Sequence, residues 1–344
     1  MAPDPMLYQH PLDAETLKAL KGIPGFDAAV KWFMKNFNEK MQRITCLSSC
    51  IRITPTQLPE LYNLLPPICQ KLGIRQPEFF LELNRDPNAY TTGDTQTFLV
   101  ITSGLLESVT QEELVAVLAH ECGHNACHHV LYKSMCRILL GGSSVVLPIP
   151  PLVTTALSYA LLHWDRCSEY SADRAAATYL GGPDQVVNTM KRLAGGTTNL
   201  NLYINEDEFL AQAEEFENYV QDNTWNRVLE VIAISSLSHP FEAQRAREIK
   251  LWCDTQHFRD LCDGKLFVQN GVIYINQNAA LPAGNATSPQ GQAAQHHCPH
   301  CGAALSDVSK FCRSCGGKLA TCKSCGAPLK EGQAFCSHCG TAQN

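Results

Sequence analysis

Basic charge is scarce in this chain. Lys and Arg number 27 against 33 Asp and Glu, a formal net charge of −6 over 344 residues. A balance of that sign favours solubility and argues against a nucleic-acid partner or an acidic membrane surface. No secretory signal is expected from the sequence either, so Asn285-Ala286-Thr287, which fits a glycosylation acceptor, carries little weight. An unbroken membrane-spanning run is lacking too. Ile138 to His163 contains no Asp, Glu, Lys or Arg, yet Gly141-Gly142, Pro148, Pro150 and Pro151 interrupt it. The remainder, Leu152–Leu162, is too short to cross a bilayer alone. We read 138–163 as a hydrophobic lid or a buried helix, with contact to a membrane surface as the alternative.

Cysteine, by contrast, is abundant: 17 residues. Eight fall into two equal units. Cys298, Cys301, Cys312 and Cys315 form one pair of C-x-x-C knuckles, and Cys322, Cys325, Cys336 and Cys339 form the next. A Gly follows each knuckle and permits the tight turn that a metal knuckle needs. The spacing predicts two tetrahedral Cys₄ zinc sites, a double zinc ribbon, in which the metal supplies folding energy that so small a core cannot. Lys310, Arg313, Lys318, Lys323 and Lys330 against Asp307 and Glu331 leave residues 298–339 at +3. Each zinc with four thiolates adds about −2, so the loaded module comes to roughly −1. That suits a protein partner better than phosphate. The nine remaining cysteines are scattered and suit a reducing cytoplasm. Cys122 and Cys127 are the two that redox chemistry could reach near the site, though small buried filler is the plainer role.

The chemistry is concentrated in His120-Glu121-Cys122-Gly123-His124, an H-E-x-x-H pattern. Two histidines four apart on a helix point the same way, so both imidazoles reach one zinc ion. Glu121 stands beside the metal, placed to take a proton from a metal-activated water. The flanks predict the helix. Thr110 with Glu113 makes a capping box, and Leu114, Val117 and Leu118 share an apolar face.

A third ligand is required. The metzincin solution, a His six residues on with a Gly between, is excluded because Val130 and Cys127 occupy those positions. A Glu from a later helix is the other common solution. Glu169 completes a His₂Glu set and leaves a fourth position for water. Asp173, one turn on, is placed to orient His120 or His124. The competing expectation pairs Glu169 and Asp173 with Arg166 and Arg174 on a solvated helix.

These segments resemble the CAAX prenyl protease/HtpX family of gluzincin metallopeptidases across about residues 55–250. Pro87-Asn88-Ala89-Tyr90-Thr91-Thr92-Gly93 resembles the family's P-N-A-[FY]-x-x-G and precedes Phe98–Leu106. The H-E-x-G-H helix follows, with His129 at the spacing of a further family histidine. Then come Arg166-x-x-Glu169-Tyr170-x-Ala172-Asp173 and His239-Pro240 with Arg245. Cys122 departs from the family's usual aliphatic residue, which alters packing and not chemistry. The resemblance implies that His120, His124 and Glu169 bind zinc and that Glu121 is the general base. It also carries over His239 and Arg245 as candidate oxyanion donors; a helix start at Ser238-His239-Pro240 with a surface Arg is the alternative. Asn88, Ala89 and Tyr90, with Phe98 to Ile101, read as strands around Gly93. In zincins an edge strand beside the active-site helix pairs with extended substrate.

The expected fold class is α+β: a predominantly helical gluzincin domain with a small edge sheet, followed by the double ribbon. The metallopeptidase domain spans 1–276 and ends on a hairpin around Asn270-Gly271. Residues 277–297, rich in Ala, Gly, Pro and Gln without periodicity, form a flexible linker. The ribbons occupy 298–344. Acidic Asn205–Glu217 reads as a solvated helix face. The expected activity is zinc-dependent cleavage of peptide or unfolded protein, in protein quality control or processing, in a cytoplasmic enzyme with one catalytic and two structural zinc ions. The rival is an idle or latent zincin fold whose ribbons recruit partners.

Overall fold

The structure is a computed structural model that describes residues 2–36, 39–140, 151–195, 203–221, 241–276 and 341–342. His239, the linker 277–297 and the eight ribbon cysteines therefore lie outside the described residues. The chain divides into two compact units, Met1–Cys253 with Phe267–Tyr274, and Asp254–Leu266 with Ile275–Asn344.

In the first unit, helices α1 (Pro11–Lys21), α2 (Phe26–Asn36) and α3 (Glu39–Ser49) lead into β1 (Cys50–Ile53). The short α4 (Pro59–Tyr62) and α5 (Leu65–Leu72) precede β2 (Glu78–Glu82), β3 (Ala89–Gly93) and β4 (Thr97–Thr102). The sheet order is β1-β2-β4-β3, with β2 and β4 parallel and the other pairs antiparallel. β3 is thus an edge strand, as the resemblance leads one to expect. Phe98 to Ile101 are fully buried, and Phe98 and Val100 pack with Phe80 and Cys46 of α3 on one face. Gly93 turns the chain from β3 into β4 at φ 117°, where an added Cβ would sit 2.1 Å from the Gln96 carbonyl oxygen. Only glycine fits that turn.

After α6 (Ser103–Ser108) comes α7 (Gln111–Ala126), opened by the predicted capping box: Thr110 accepts from the Glu113 amide and Glu113 from the Thr110 amide. Helices α8 (Val130–Leu140) and α9 (Pro151–Leu180) follow. Much of the uncharged 138–163 stretch proves to be the first half of α9. Leu157, Leu161 and Trp164 are fully buried there, packed with Leu20, Phe26, Ala29 and Phe33 of the N-terminal helices and Met135 and Cys136 of α8. One face of this half of the helix lies in the core, while Thr155, Ala156, Tyr159 and His163 are exposed on the other. Among the described residues no helix is long and apolar enough to cross a membrane. Helices α10 (Asp184–Ala194), α11 (Glu206–Gln221) and α12 (Glu242–Cys253) complete the layer around α7 and α9. The acidic 205–217 stretch is helical, with Glu208, Glu214 and Glu215 exposed.

In the second unit, α13 (Gln256–Cys262) is capped by Thr255, whose hydroxyl accepts from the Phe258 amide. The predicted hairpin is present as β5 (Leu266–Gln269) and β6 (Val272–Ile275), its residues Phe267–Tyr274 falling in the first unit, and it turns through Asn270 at φ 52° and Gly271 at φ 73°. Positive φ at both central residues is the type I′ geometry that Asn-Gly favours.

Candidate metal centre

Two helices make the site. α7 brings His120 and His124 to one face, and α9 crosses it with Glu169. The crossing is close because Gly123 has no side chain: a Cβ there would lie 2.7 Å from the Ala175 Cβ and 3.1 Å from the Ala172 Cα. Small residues on both helices therefore set how deeply the glutamate reaches between the histidines.

Glu169 Oε2 lies 3.3 Å from His120 Nε2, and Glu169 Oε1 lies 3.2 Å from His124 Nε2. All three donor atoms fall within 4.8 Å of one another, and all three residues are buried. Donors bonded at about 2.0–2.1 Å to one tetrahedral ion stand roughly 3.3–3.4 Å apart. The donor set, its spacing and its burial fit a catalytic zinc with three protein ligands. The alternative of solvated pairs with Arg166 and Arg174 is not what forms. Glu169 and Asp173 are 1% and 2% exposed, and Arg174 pairs with Glu248 at 3.0 Å instead.

Charged neighbours hold each donor. His120 Nδ1 lies 2.9 Å from Asp173 Oδ1. Arg245, on α12, grips Asp173 with two bonds, Nε to Oδ2 at 2.8 Å and Nη2 to Oδ1 at 2.7 Å, and its Nη1 faces Glu169 Oε2 at 3.3 Å. Lys133, on α8, donates to Glu169 Oε1 at 2.6 Å and Asp165 Oδ1 at 2.9 Å. His124 Nδ1 lies 3.0 Å from His129 Nδ1, and His129 Nε2 lies 2.9 Å from Asp13 Oδ2. In the metal-free protein burial pulls His120 down, but hydrogen bonds to Asp173 and Glu169 outweigh it and push its pKa up to about 9. His124 falls well below the usual histidine range, through burial and then the charge of Lys133. Burial works against ionised Asp173, yet Arg245 keeps it below the ordinary carboxylate range.

Glu121 is 1% exposed, and Thr91 on β3 donates to its Oε2 at 2.9 Å. A narrow cleft of about 60 Å³ lies beside His120 and Glu121. Asn88 and Ala89 line one side and Val186, Met190 and Leu193 of α10 another, while Arg245 also borders it. Tyr90 lies further along β3, its hydroxyl donating to Glu82 at 3.0 Å and its ring under Arg137.

The structure thus brings together His120, Glu121, His124, Glu169, Asp173 and Arg245, with Asn88 and Ala89 at the rim. It adds Thr91, Lys133 and Asp13. Lys133 shares a helix face with His129 at a spacing of four, a signal that was open to reading. Asp13 left no signal of its role, because apart from Gln9 its partners His129, Trp164 and Ser171 are remote in sequence.

Comparison with known proteins agrees with this geometry. Residues 55–253 match the model of Peptidase family M48, and residues 298–340 match that of the double zinc ribbon. The chain is 30% identical over 256 residues to the plastoglobule-localized metallopeptidase 48, chloroplastic, of Arabidopsis thaliana, covering 74% of each protein. It is 23% identical over 220 residues to a protease HtpX homolog of Campylobacter concisus, covering 55% of this chain and 73% of that one. Among solved structures, Ste24p of S. mikatae matches at 20% identity and a TM-score of 0.35, over 71% of this chain and 62% of the other. The family model covers more than half of the chain and contains both histidines and the glutamate that converge on one buried point, so the chain belongs to Peptidase family M48, as a zinc metallopeptidase that also carries a double zinc ribbon.

Proposed function

We propose that the enzyme is an endopeptidase acting on extended or unfolded protein, with Glu121 as its general base, in protein quality control or processing. The observation that carries this reading is the placement of Glu121. It follows His120 on the ligand helix, and Thr91 of the edge strand fixes one of its carboxylate oxygens. Bound zinc supplies the Lewis acidity that lets water attack a carbonyl near neutral pH. Glu121 accepts the proton of that water and hands it to the leaving amine. Thr91 holds the carboxylate rotamer for both transfers.

Substrate lies along β3 at Asn88, Ala89 and Tyr90, pairing backbone to backbone, so that shape and extension matter more than sequence. Arg245 and Asp173 position His120 and Glu169; an oxyanion role is left to His239 and whatever part of Arg245 the cleft exposes. We assign one catalytic zinc and two Cys₄ zinc ions in the ribbons, which recruit a protein partner. The setting is a reducing compartment, the cytoplasm, either free or against a membrane surface through 138–163.

The test is casein hydrolysis by zinc-loaded protein beside Glu121→Gln. The wild type should cleave, and the variant should keep its zinc yet lose about 10²–10⁴-fold in rate. Cleavage by neither protein would replace this reading with the idle, partner-recruiting zincin fold.

A further inference from the structure

Helix α1 precedes residues 55–253, the span matched by the family model, yet its Asp13 is completely buried beneath the metal centre. A carboxylate in such a place is costly unless its oxygens are satisfied. Four side chains satisfy this one. Trp164 Nε1 donates to Oδ1 at 2.9 Å; Ser171 Oγ at 2.7 Å, Gln9 Nε2 at 2.9 Å and His129 Nε2 at 2.9 Å reach Oδ2. Trp164 and Ser171 belong to α9, the helix that carries Glu169. Burial pushes the Asp13 carboxyl up, but His129 and the bonds from His129, Gln9 and Ser171 overcome it and hold it below the usual range. Asp13 is therefore an anion that only accepts.

The protons of the two histidines can then be placed in order. With zinc held by its Nε2, 3.2 Å from Glu169, His124 carries its proton on Nδ1. His129 Nδ1, 3.0 Å away, is then the acceptor of that bond. The proton of His129 therefore lies on Nε2, donated to Asp13 at 2.9 Å. With the proton of His129 on Nδ1 instead, His124 would carry its own on Nε2 and could not bind the metal.

We infer that Asp13 is a positioning residue of the metal centre, acting through His129 to fix the tautomer of His124, so that the N-terminal helix is a working part of the zinc site. Asp173 does the same for His120 directly, and the relay through His129 lets a more distant carboxylate serve the second ligand. The inference rests on the reading of His124 as a zinc ligand.

The test uses full-length protein and competitive zinc titration against a chelator, comparing wild type, Asp13→Asn and His124→Ala. The ribbon sites are common to all three, so differences belong to the catalytic site. Asn keeps the shape of Asp, but its amide NH₂ meets a donor whichever way it lies, either Trp164 or the cluster of His129, Ser171 and Gln9. Asp13→Asn should weaken the catalytic site by about 10–100-fold, as loss of a ligand's hydrogen-bond partner does. Unchanged affinity in Asp13→Asn, with His124→Ala clearly weakened, would overturn the relay and leave the metallopeptidase reading standing. No loss in His124→Ala would overturn both. Nitrogen-15 NMR of the histidines in zinc-loaded wild type gives a readout that packing alone would not move: His129 should carry its proton on Nε2 and His124 on Nδ1. The opposite tautomer of His129 would refute the inference. If Asp13→Asn fails to fold, Ser171→Ala removes one donor to Asp13 with little change in volume. It should give a smaller loss of zinc affinity in the same direction, and no loss would count against the relay.

Discussion

Replacing Gly123 by Ala sets two effects against each other. In a helix interior Ala is better than Gly by about 1 kcal/mol, so propensity alone predicts a more stable protein. Packing predicts the reverse. The new methyl would meet the Ala175 Cβ at 2.7 Å and the Ala172 Cα and carbonyl oxygen at 3.1 Å. Carbon atoms rest at about 3.5–4.0 Å, so α9 must withdraw from α7 by roughly 1 Å at this point. The obstructing atoms are backbone and a Cβ, none of which can rotate aside. Overpacking of this kind costs about 1–3 kcal/mol, which leaves a net loss of up to about 2 kcal/mol. The functional loss should be larger. Ala172 and Ala175 flank Asp173, one turn beyond Glu169, and zinc distances tolerate about ±0.2 Å. We expect Gly123→Ala to lower zinc affinity at least about tenfold in a chelator competition, and Ala175→Gly in the same chain to restore part of it. A variant that melts higher than wild type and holds zinc equally well would show that this crossing does not set the site.

Lys133→Met removes the cation against Glu169 and Asp165 and should destabilise the metal-free protein by about 3 kcal/mol. Bound zinc compensates the Glu169 charge, so zinc should raise the melting temperature more in the variant than in wild type; equal shifts in calorimetry would contradict this. Glu113 forms a buried pair with Arg192 at 2.6 and 2.9 Å. Glu113→Gln keeps a capping side chain but strands the cation, and urea unfolding should show a loss of about 3–5 kcal/mol; under about 1 kcal/mol would refute the strain assigned to the stranded charge. Glu206 is held below the usual carboxylate range by Lys250 and Lys191. Its folded pKa lies below its unfolded one, so its contribution is present above the unfolded value and is lost as pH falls through the folded value. Glu206→Gln should cost no more than about 1 kcal/mol at pH 7, since the group is partly exposed, and nothing in strong acid. A difference that persists in strong acid would show another cause.

The ligands were legible in the sequence because their spacing is a property of one helix: His120 and His124 need only a period of 3.6, and the capping box at Thr110 states where that helix begins. Glu169 and Asp173 were legible for the same reason within α9, yet their competition with Arg166 and Arg174 could be decided only by burial. The hairpin at Asn270-Gly271 and the edge strand after Asn88 rest on short-range turn chemistry and were likewise readable. What was not readable is tertiary. Asp13 meets Trp164 and Ser171 where α1 packs on α9, 151 and 158 residues away along the chain, and nothing near Asp13 marks that meeting. Leu152–Leu162 reads in the sequence as a short apolar remainder after a run of prolines, and only the structure shows the segment to be continuous with the ligand helix.

That continuity makes α9 a phase-locked rod. Thirty residues extend about 45 Å, and Glu169 lies about 27 Å from the start. The angular setting of Glu169 and Asp173 is fixed where α9 meets Gly123, not where the helix begins. Sequence added or removed ahead of Pro151 leaves that angle unchanged, so insertions there should keep the zinc site intact. One residue inserted between Glu169 and Asp173 turns everything downstream by about 100° and swings Asp173 away from His120 while leaving Glu169 in place. Tolerance to length change should therefore fall from permissive to forbidden within a few turns of a single helix.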